Sequence, residues 1–168
     1  MSLQRPAVFF DRDGVLNIDH GYTYRKEEFQ WMPGAIEAIR HFNLKGYYVF
    51  VVTNQSGIAR GYYTEEDVKK LHSFMNEELA EHAAHIDAFY YCPHHVDGKI
   101  EQYKQACQCR KPLPGMLLQA LKERGVEPSQ SFLVGDKTSD IQAAEAEGIK
   151  GILFKGENLY TFLMGNIV

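Results

Sequence analysis

Apolar runs and amphipathic stretches alternate along most of this chain. Ala7-Val8-Phe9-Phe10 and the longer Tyr47-Tyr48-Val49-Phe50-Val51-Val52 are unbroken apolar runs rich in aromatic and β-branched side chains. Continuous rather than alternating apolarity predicts strands covered on both faces. Ala88-Phe89-Tyr90-Tyr91, Ser131-Phe132-Leu133-Val134 and Gly151-Ile152-Leu153-Phe154 predict three more strands. Helical spacing fills the intervals. Ala35, Ile36, Ile39, Phe42 and Leu44 follow Pro33-Gly34, and Gly46 ends them. Thr64-Glu65-Glu66-Asp67 reads as a cap and acidic first turn, opening a stripe of Val68, Leu71, Met75 and Leu79 that runs to about residue 82. Met116, Leu117, Ala120 and Leu121 give the buried face of a helix beginning near Pro114, and residues 139–147 an Ala-rich one. Residues 14–33 and 92–113 are polar and irregular, and 155–168 carry little periodic signal.

Strands and helices in alternation predict an α/β fold: a Rossmann-like parallel sheet with helices on both faces. No repeat, low-complexity tract or linker divides the chain. The expectation is one domain over 1–168, with no large cap domain. In such sheets ligands bind in the crevice beyond the strands' carboxyl ends. The polar clusters after the first, second and fourth strands, at Asp11/Asp13, Thr53/Asn54 and Asp136/Asp140, then face one crevice.

Composition narrows the partners. The net charge is −4, with 45% hydrophobic and 24% charged residues in 168. No global basic field recruits nucleic acid or an anionic membrane, so an anionic substrate must be met by a few local cations. No apolar run approaches the roughly 20 residues of a membrane span. The expectations are a cytoplasmic protein and, with no interface signature in view, a monomer. The three cysteines cluster at 92, 107 and 109. An odd, clustered set is no disulfide framework; in a reducing compartment it points to a metal.

Asp11-Arg12-Asp13-Gly14 follows the first strand directly. Read alone it is an ordinary polar turn. Side chains two apart on extended chain project the same way, however, and two carboxylates there repel unless a cation intervenes. With Asp136 in the same crevice, a hard divalent ion such as Mg²⁺ resolves the excess charge. An aspartate can act as a nucleophile, forming an aspartyl-phosphate. Its neighbour two residues on can protonate the leaving oxygen and then accept a proton from water. The Thr53 hydroxyl and Lys111 are candidate donors to the phosphoryl oxygens. Asp136 and Asp140 alone could equally be helix-capping acids.

Cys92-x-His94 and Cys107-x-Cys109, twelve residues apart, supply three thiolates and an imidazole, a closed set typical of structural zinc. His95 is the alternative ligand; the matching one-residue spacing favours His94. Ordering 92–109 would deliver Arg110 and Lys111, which follow immediately, to the crevice. Arg110 suits a second, non-reacting phosphate.

Asp11-Arg12-Asp13-Gly14-Val15, Val52-Thr53-Asn54, Arg110-Lys111-Pro112 and Gly135-Asp136-Lys137-Thr138-Ser139-Asp140 together resemble the four motifs of the haloacid dehalogenase superfamily, in its phosphatase branch. The resemblance implies Asp11 as nucleophile, Asp13 as general acid/base, Thr53 and Lys111 as phosphoryl stabilisers, and Mg²⁺ held by Asp11, the Asp13 carbonyl and Asp136, with Asp140 behind them. The Cys-x-His…Cys-x-Cys-Arg-Lys-Pro segment is similar to the histidinol-phosphatase-like subfamily, and its spacer to the branch acting on heptose 1,7-bisphosphate. That likeness implies removal of a 7-phosphate from a small phosphorylated sugar on the route to nucleotide-activated heptose and lipopolysaccharide precursors. It also implies substrate contacts from Arg12, Asp19, His20, Gly21, Tyr22, Asn54, Gln55, Ser56, Arg110 and Lys137. Histidinol phosphate stays open as the alternative substrate. A nucleic-acid 3′-phosphatase and a non-catalytic zinc-organised binding protein are the further readings; the negative charge speaks against the first and the intact motifs against the second.

Overall fold

The computed structural model describes residues 4–167. Its strands are β1 (Ala7–Phe10), β2 (Tyr48–Asn54), β3 (Ala88–Cys92), β4 (Phe132–Gly135) and β5 (Lys150–Leu153). They form one parallel sheet in the order β3-β2-β1-β4-β5. Phe10, at the end of the central strand, pairs with Val51 on one side and Val134 on the other.

All four β1 residues are fully buried, as a strand packed on both faces requires. Val8 and Phe10 face one core with Val49 and Val51. It is covered by α1 (Ala35–Leu44), α2 (Glu65–Ala80) and α5 (Leu159–Asn166), through side chains such as Ile39, Met75 and Leu163. Ala7 and Phe9 face the other core with Phe50 and Val52, under α3 (Gly115–Glu123) and α4 (Thr138–Glu145), which contribute Leu117 and Ala143. Fully burying a phenylalanine here is worth roughly 1.5–3 kcal/mol. The strand ends that carry polar side chains therefore hang from the most rigid part of the molecule.

Helix ends follow local chemistry. Thr64 caps α2 in a reciprocal box with Asp67, whose N–H reaches the Thr64 hydroxyl at 3.1 Å. Element bounds differ from the sequence expectation by a residue or two, with one larger departure. The tail, which has little periodic signal, contains α5. Asn158 caps it by accepting from Thr161 N–H at 2.9 Å, and its fully buried Leu159 and Leu163 pack in the core with α1. The chain runs β1-β2-β3 outward on one side, then returns to place β4 and β5 on the other. The reversal falls between β1 and β4, the position where such sheets open a binding crevice.

Candidate active site

A cavity of about 350 Å³ opens over the carboxyl ends of β1, β2 and β4. Asp11, Asp13, Thr53, Asn54, Gln55, Ser56, Arg110, Lys111, Lys137 and Asp140 line it, together with Asp19, Gly21 and Tyr22 from the long loop after β1. Four stretches distant in sequence thus converge on one space.

The buried centre is Asp11. Its Oδ1 accepts from Lys111 Nζ at 2.9 Å and from the Arg12 N–H at 2.9 Å. Burial, opposed by the Lys111 ammonium and reinforced by Asp140 and Asp136, pushes the Asp11 carboxyl up to about 7. Lys111 is fully enclosed too. Burial works against its ammonium, but Asp11 and Asp140 outweigh that and raise its pKa. Its three donors are spent on Asp11, on Asp140 Oδ1 at 2.5 Å and on the Val52 carbonyl at 3.0 Å. Asp140 does two jobs, since its Oδ2 also accepts from the Lys137 N–H at 3.1 Å and caps α4. Asn54 holds the lysine's backbone: its Oδ1 accepts from Lys111 N–H at 3.1 Å.

Asp13 is held by three side chains. Arg12 reaches its Oδ1 and Oδ2 at 3.0 and 3.1 Å, Asn17 donates at 3.0 Å and Gln55 at 3.1 Å. Gln55, itself buried, also donates to the Thr53 hydroxyl at 2.9 Å and accepts from Tyr63 at 2.5 Å, linking the β1 and β2 ends. The side chain of Arg12 departs from the substrate-contact expectation. It is completely buried behind Asp13, with Nη2 on the Thr23 carbonyl at 2.7 Å, and does not line the cavity. Its charge is spent inward, on Asp13. His20 is exposed and is likewise absent from the lining, whereas Asp19 beside it accepts from Gly21 N–H at 2.9 Å and shapes the turn.

Carboxylate oxygens of Asp11, Asp136 and Asp140 lie within 4.8 Å of one another. Asp140 spends both of its oxygens on Lys111 and Lys137, whereas Asp136 Oδ1 is buried with no partner among the described residues. An orphaned, buried anionic oxygen beside Asp11 fits a hard divalent cation. Gly14 makes room for it: at φ +90° only glycine is comfortable, and a Cβ there would lie 2.2 Å from Asp136 Oδ2.

Cys92, His94, Cys107 and Cys109 bring their ligand atoms within 4.8 Å of one another. Cys109 Sγ lies 3.4 Å from Cys107 Sγ and 3.5 Å from His94 Nδ1. Three sulfurs and one imidazole nitrogen gathered this closely supply the donor set of a closed structural site. His95 is turned elsewhere, its Nδ1 accepting from Asp97 N–H at 3.0 Å and its Nε2 lying 3.4 Å from Arg60. The loop is also tied to the body through Glu65, which accepts from Tyr91 at 2.6 Å and Tyr103 at 2.5 Å.

Arg60 and Tyr63 line the cavity, and the sequence reading missed both. Extending the strand-end rule a few residues past Ser56, through Gly57-Ile58-Ala59-Arg60, is the signal that reaches the arginine. The Lys99 and Ile100 N–H groups both donate to the Ala59 carbonyl, at 2.7 and 2.9 Å, so the cysteine-bearing loop braces this segment. Arg60 Nε and Arg110 Nη1 are buried without a hydrogen-bond partner among the described residues.

Comparison with known proteins agrees with this geometry. The HAD-hydrolase-like family matches residues 108–158. A protein of Rhodopseudomonas palustris named D-glycero-beta-D-manno-heptose-1,7-bisphosphate 7-phosphatase is 49% identical over 95% of this chain and 89% of its own length. A protein of the same name from Pasteurella multocida is 51% identical over 87% of this chain and 79% of its own. Among solved structures, D,D-heptose 1,7-bisphosphate phosphatase from B. bronchiseptica, complexed with magnesium and phosphate, superposes with a TM-score of 0.80 at 32% identity, covering 97% of this chain and 88% of that one. The chain therefore belongs to the HAD-like hydrolases and, within them, to the D-glycero-beta-D-manno-heptose-1,7-bisphosphate 7-phosphatase family.

Proposed function

We propose that this chain is a Mg²⁺-dependent phosphatase that removes the 7-phosphate of D-glycero-beta-D-manno-heptose 1,7-bisphosphate through an aspartyl-phosphate on Asp11. The observation that carries the chemistry is the pairing at the end of β1. Asp11 is anchored through Oδ1 by Lys111 and its own neighbour's N–H, which leaves Oδ2 outside those bonds, while Asp13 stands beside it in the same cavity.

Asp11 attacks phosphorus, the bond from phosphorus to the sugar oxygen breaks, and Asp13 supplies the proton to that oxygen. Asp13 then takes a proton from the water that attacks phosphorus of the acyl-phosphate, the bond from phosphorus to the Asp11 oxygen breaks, and inorganic phosphate leaves with Asp11 regenerated. Lys111, its donors held by Asp11, Asp140 and the Val52 carbonyl, would place positive charge beside a phosphoryl group on Asp11, and the Thr53 hydroxyl would donate to its oxygens. Asn54 keeps Lys111 on station, and Asp140 balances its charge. Magnesium, bound by Asp11, Asp136 and the Asp13 carbonyl, would neutralise charge on the transferring group.

Support for a bisphosphate lies in the second cationic zone. Arg60, Arg110 and Lys137 line the same cavity, and among the described residues Arg60 and Arg110 each keep a buried nitrogen without a hydrogen-bond partner. Two arginines with no acidic partner among the described residues suit a second phosphate bound but not cleaved. Asp19, Gly21 and Tyr22 form the opposing wall for the sugar. Zinc in the cluster of Cys92, His94, Cys107 and Cys109 would be structural, ordering the loop that delivers Arg110 and Lys111.

The test is a ranking of kcat/KM on heptose 1,7-bisphosphate, histidinol phosphate and a 3′-phosphorylated oligonucleotide. The bisphosphate is expected to lead by at least about tenfold, in line with the two anion sites. Preference for histidinol phosphate overturns the substrate assignment.

A further inference from the structure

One buried ionisable residue has no part in the chemistry above: His72, on α2 and 4% exposed. Its ring lies flat against Phe89, with centroids 4.3 Å apart and planes 11° from parallel. Its Nε2 sits 3.3 Å from Arg12 Nη1. Arg12 is wholly buried, and its other contacts all go forward: Nε and Nη2 to Asp13 at 3.0–3.1 Å, and Nη2 to the Thr23 carbonyl at 2.7 Å. Thr23 follows Asp19, Gly21 and Tyr22, which line the cavity, on the same long loop.

A guanidinium has five N–H donors and no acceptor, and it stays charged. The imidazole nitrogen facing it must therefore accept, so the ring is neutral with its proton on Nδ1. Burial and then the Arg12 charge also hold His72 well below its usual pKa. A guanidinium held only by Asp13 and Thr23 could pivot about those bonds, and Asp13 would pivot with it. The acceptor behind it, clamped by Phe89, removes that freedom.

We propose that His72 is a positioning residue for the reaction, fixing the plane of Arg12 and through it the Asp13 carboxylate and the Thr23 end of the sugar-facing loop. The inference rests on Asp13 being the general acid. It predicts that the cost of losing His72 depends on the leaving group. A primary alkoxide needs a proton from Asp13 as it departs, whereas p-nitrophenolate departs without one.

The experiment compares kcat/KM of the wild type, His72→Leu and His72→Gln with saturating Mg²⁺, on the heptose bisphosphate, a simple primary alkyl phosphate and p-nitrophenyl phosphate. His72→Leu is expected to lose about tenfold or more on the alkyl esters and within about threefold on the aryl ester. His72→Gln, whose amide oxygen can accept from Arg12, is expected to recover most of the alkyl-ester activity. Equal losses on both ester classes, or no loss on either, overturn the proposal and leave His72 a packing residue. Should His72→Leu fail to fold, ¹⁵N spectroscopy of the wild-type imidazole decides: a protonated Nδ1 with a bare Nε2 supports the proposal, and a protonated Nε2 overturns it. A wild type that ignores the heptose bisphosphate counts against the substrate assignment alone, because the two model esters still report on Asp13.

Discussion

Two regions furnish this crevice, and they are held in place by different physics. Thr53 lies at the end of β2, and Asp11, Asp13 and Asp136 follow the ends of β1 and β4, strands whose residues are buried on both faces by helices. The segment from Cys92 to Cys109 has almost no interior, with only Cys92 and Gly98 buried. Its order comes from polar ties: the four-ligand cluster, the Glu65 bonds to Tyr91 and Tyr103, and the donation of Lys99 and Ile100 to Ala59. Yet it leads directly into Arg110, which lines the cavity, and Lys111, the cation paired with Asp11 and Asp140. The carboxylates come with the fold, and the lysine comes with the loop. A closed metal site is the economical way to give structure to a segment too polar to make a core.

The comparison breaks most sharply at Asp11. Asp11→Asn is expected to lower kcat by about 10⁴-fold or more, as removal of a nucleophile does elsewhere. The cysteine cluster lies outside this change, so zinc content should match that of the wild type, whereas magnesium loses one of its proposed ligands. Thermal stability should hold or rise, because burial already pushes this carboxyl up to about 7 and an amide carries no charge to desolvate. Steady-state turnover, zinc analysis and a thermal melt of the same preparation read the three outcomes. Turnover near the wild-type level would remove Asp11 from its role.

The loop is the second place to press. Cys109→Ser removes a ligand two residues before Lys111 and is expected to cost about 10- to 100-fold in kcat/KM, the range seen when supports of a functional site are lost. Hydrogen exchange then separates the regions: amides of 93–109 should exchange freely while those of β1 and β2 keep their protection. If protection in the sheet falls together with the loop, the two regions are one cooperative unit and the contrast drawn here is wrong.

How much of this was legible beforehand divides along the same line. Strands and their polar termini could be read because double-sided burial writes unbroken apolar runs, and parallel sheets put ligands at carboxyl ends. The convergence of Cys92, His94, Cys107 and Cys109 could be read because their spacing is local. What escaped depended on contacts between distant segments. Arg12 reads as a substrate contact, since arginines are seldom fully buried; only the fold supplies Asp13, Thr23 and His72 around it. Asn54 reads as a substrate contact and lines the cavity, but the pairing of its side chain with the Lys111 backbone, 57 residues away, shows only in the fold. The helix Leu159–Asn166 has too few charged residues for its faces to differ, so its periodicity is weak although its burial is complete at Leu159 and Leu163.

The smallest expected effect sharpens the comparison by asking what burial alone costs near the sheet. His72 is held neutral, well below its usual pKa, by burial and by Arg12. Unfolding releases it to protonate with an ordinary pKa of about 6.5. Below that pH the unfolded chain binds a proton that the folded chain refuses, so stability must fall as pH falls; above it, neither state binds one and the term vanishes. The slope is at most about 1.4 kcal/mol per pH unit, continuing down to the depressed folded value. Denaturant melts of the wild type and His72→Gln at pH 5.5 and 7.5 isolate the term, because every other titrating group, the metal ligands included, is common to both proteins. Relative to His72→Gln, the wild type is expected to be less stable by about 1 kcal/mol more at pH 5.5 than at pH 7.5. A difference that stays constant with pH would mean that His72 titrates normally in the folded protein, and the site behind Asp13 would then be as open to water as the loop is.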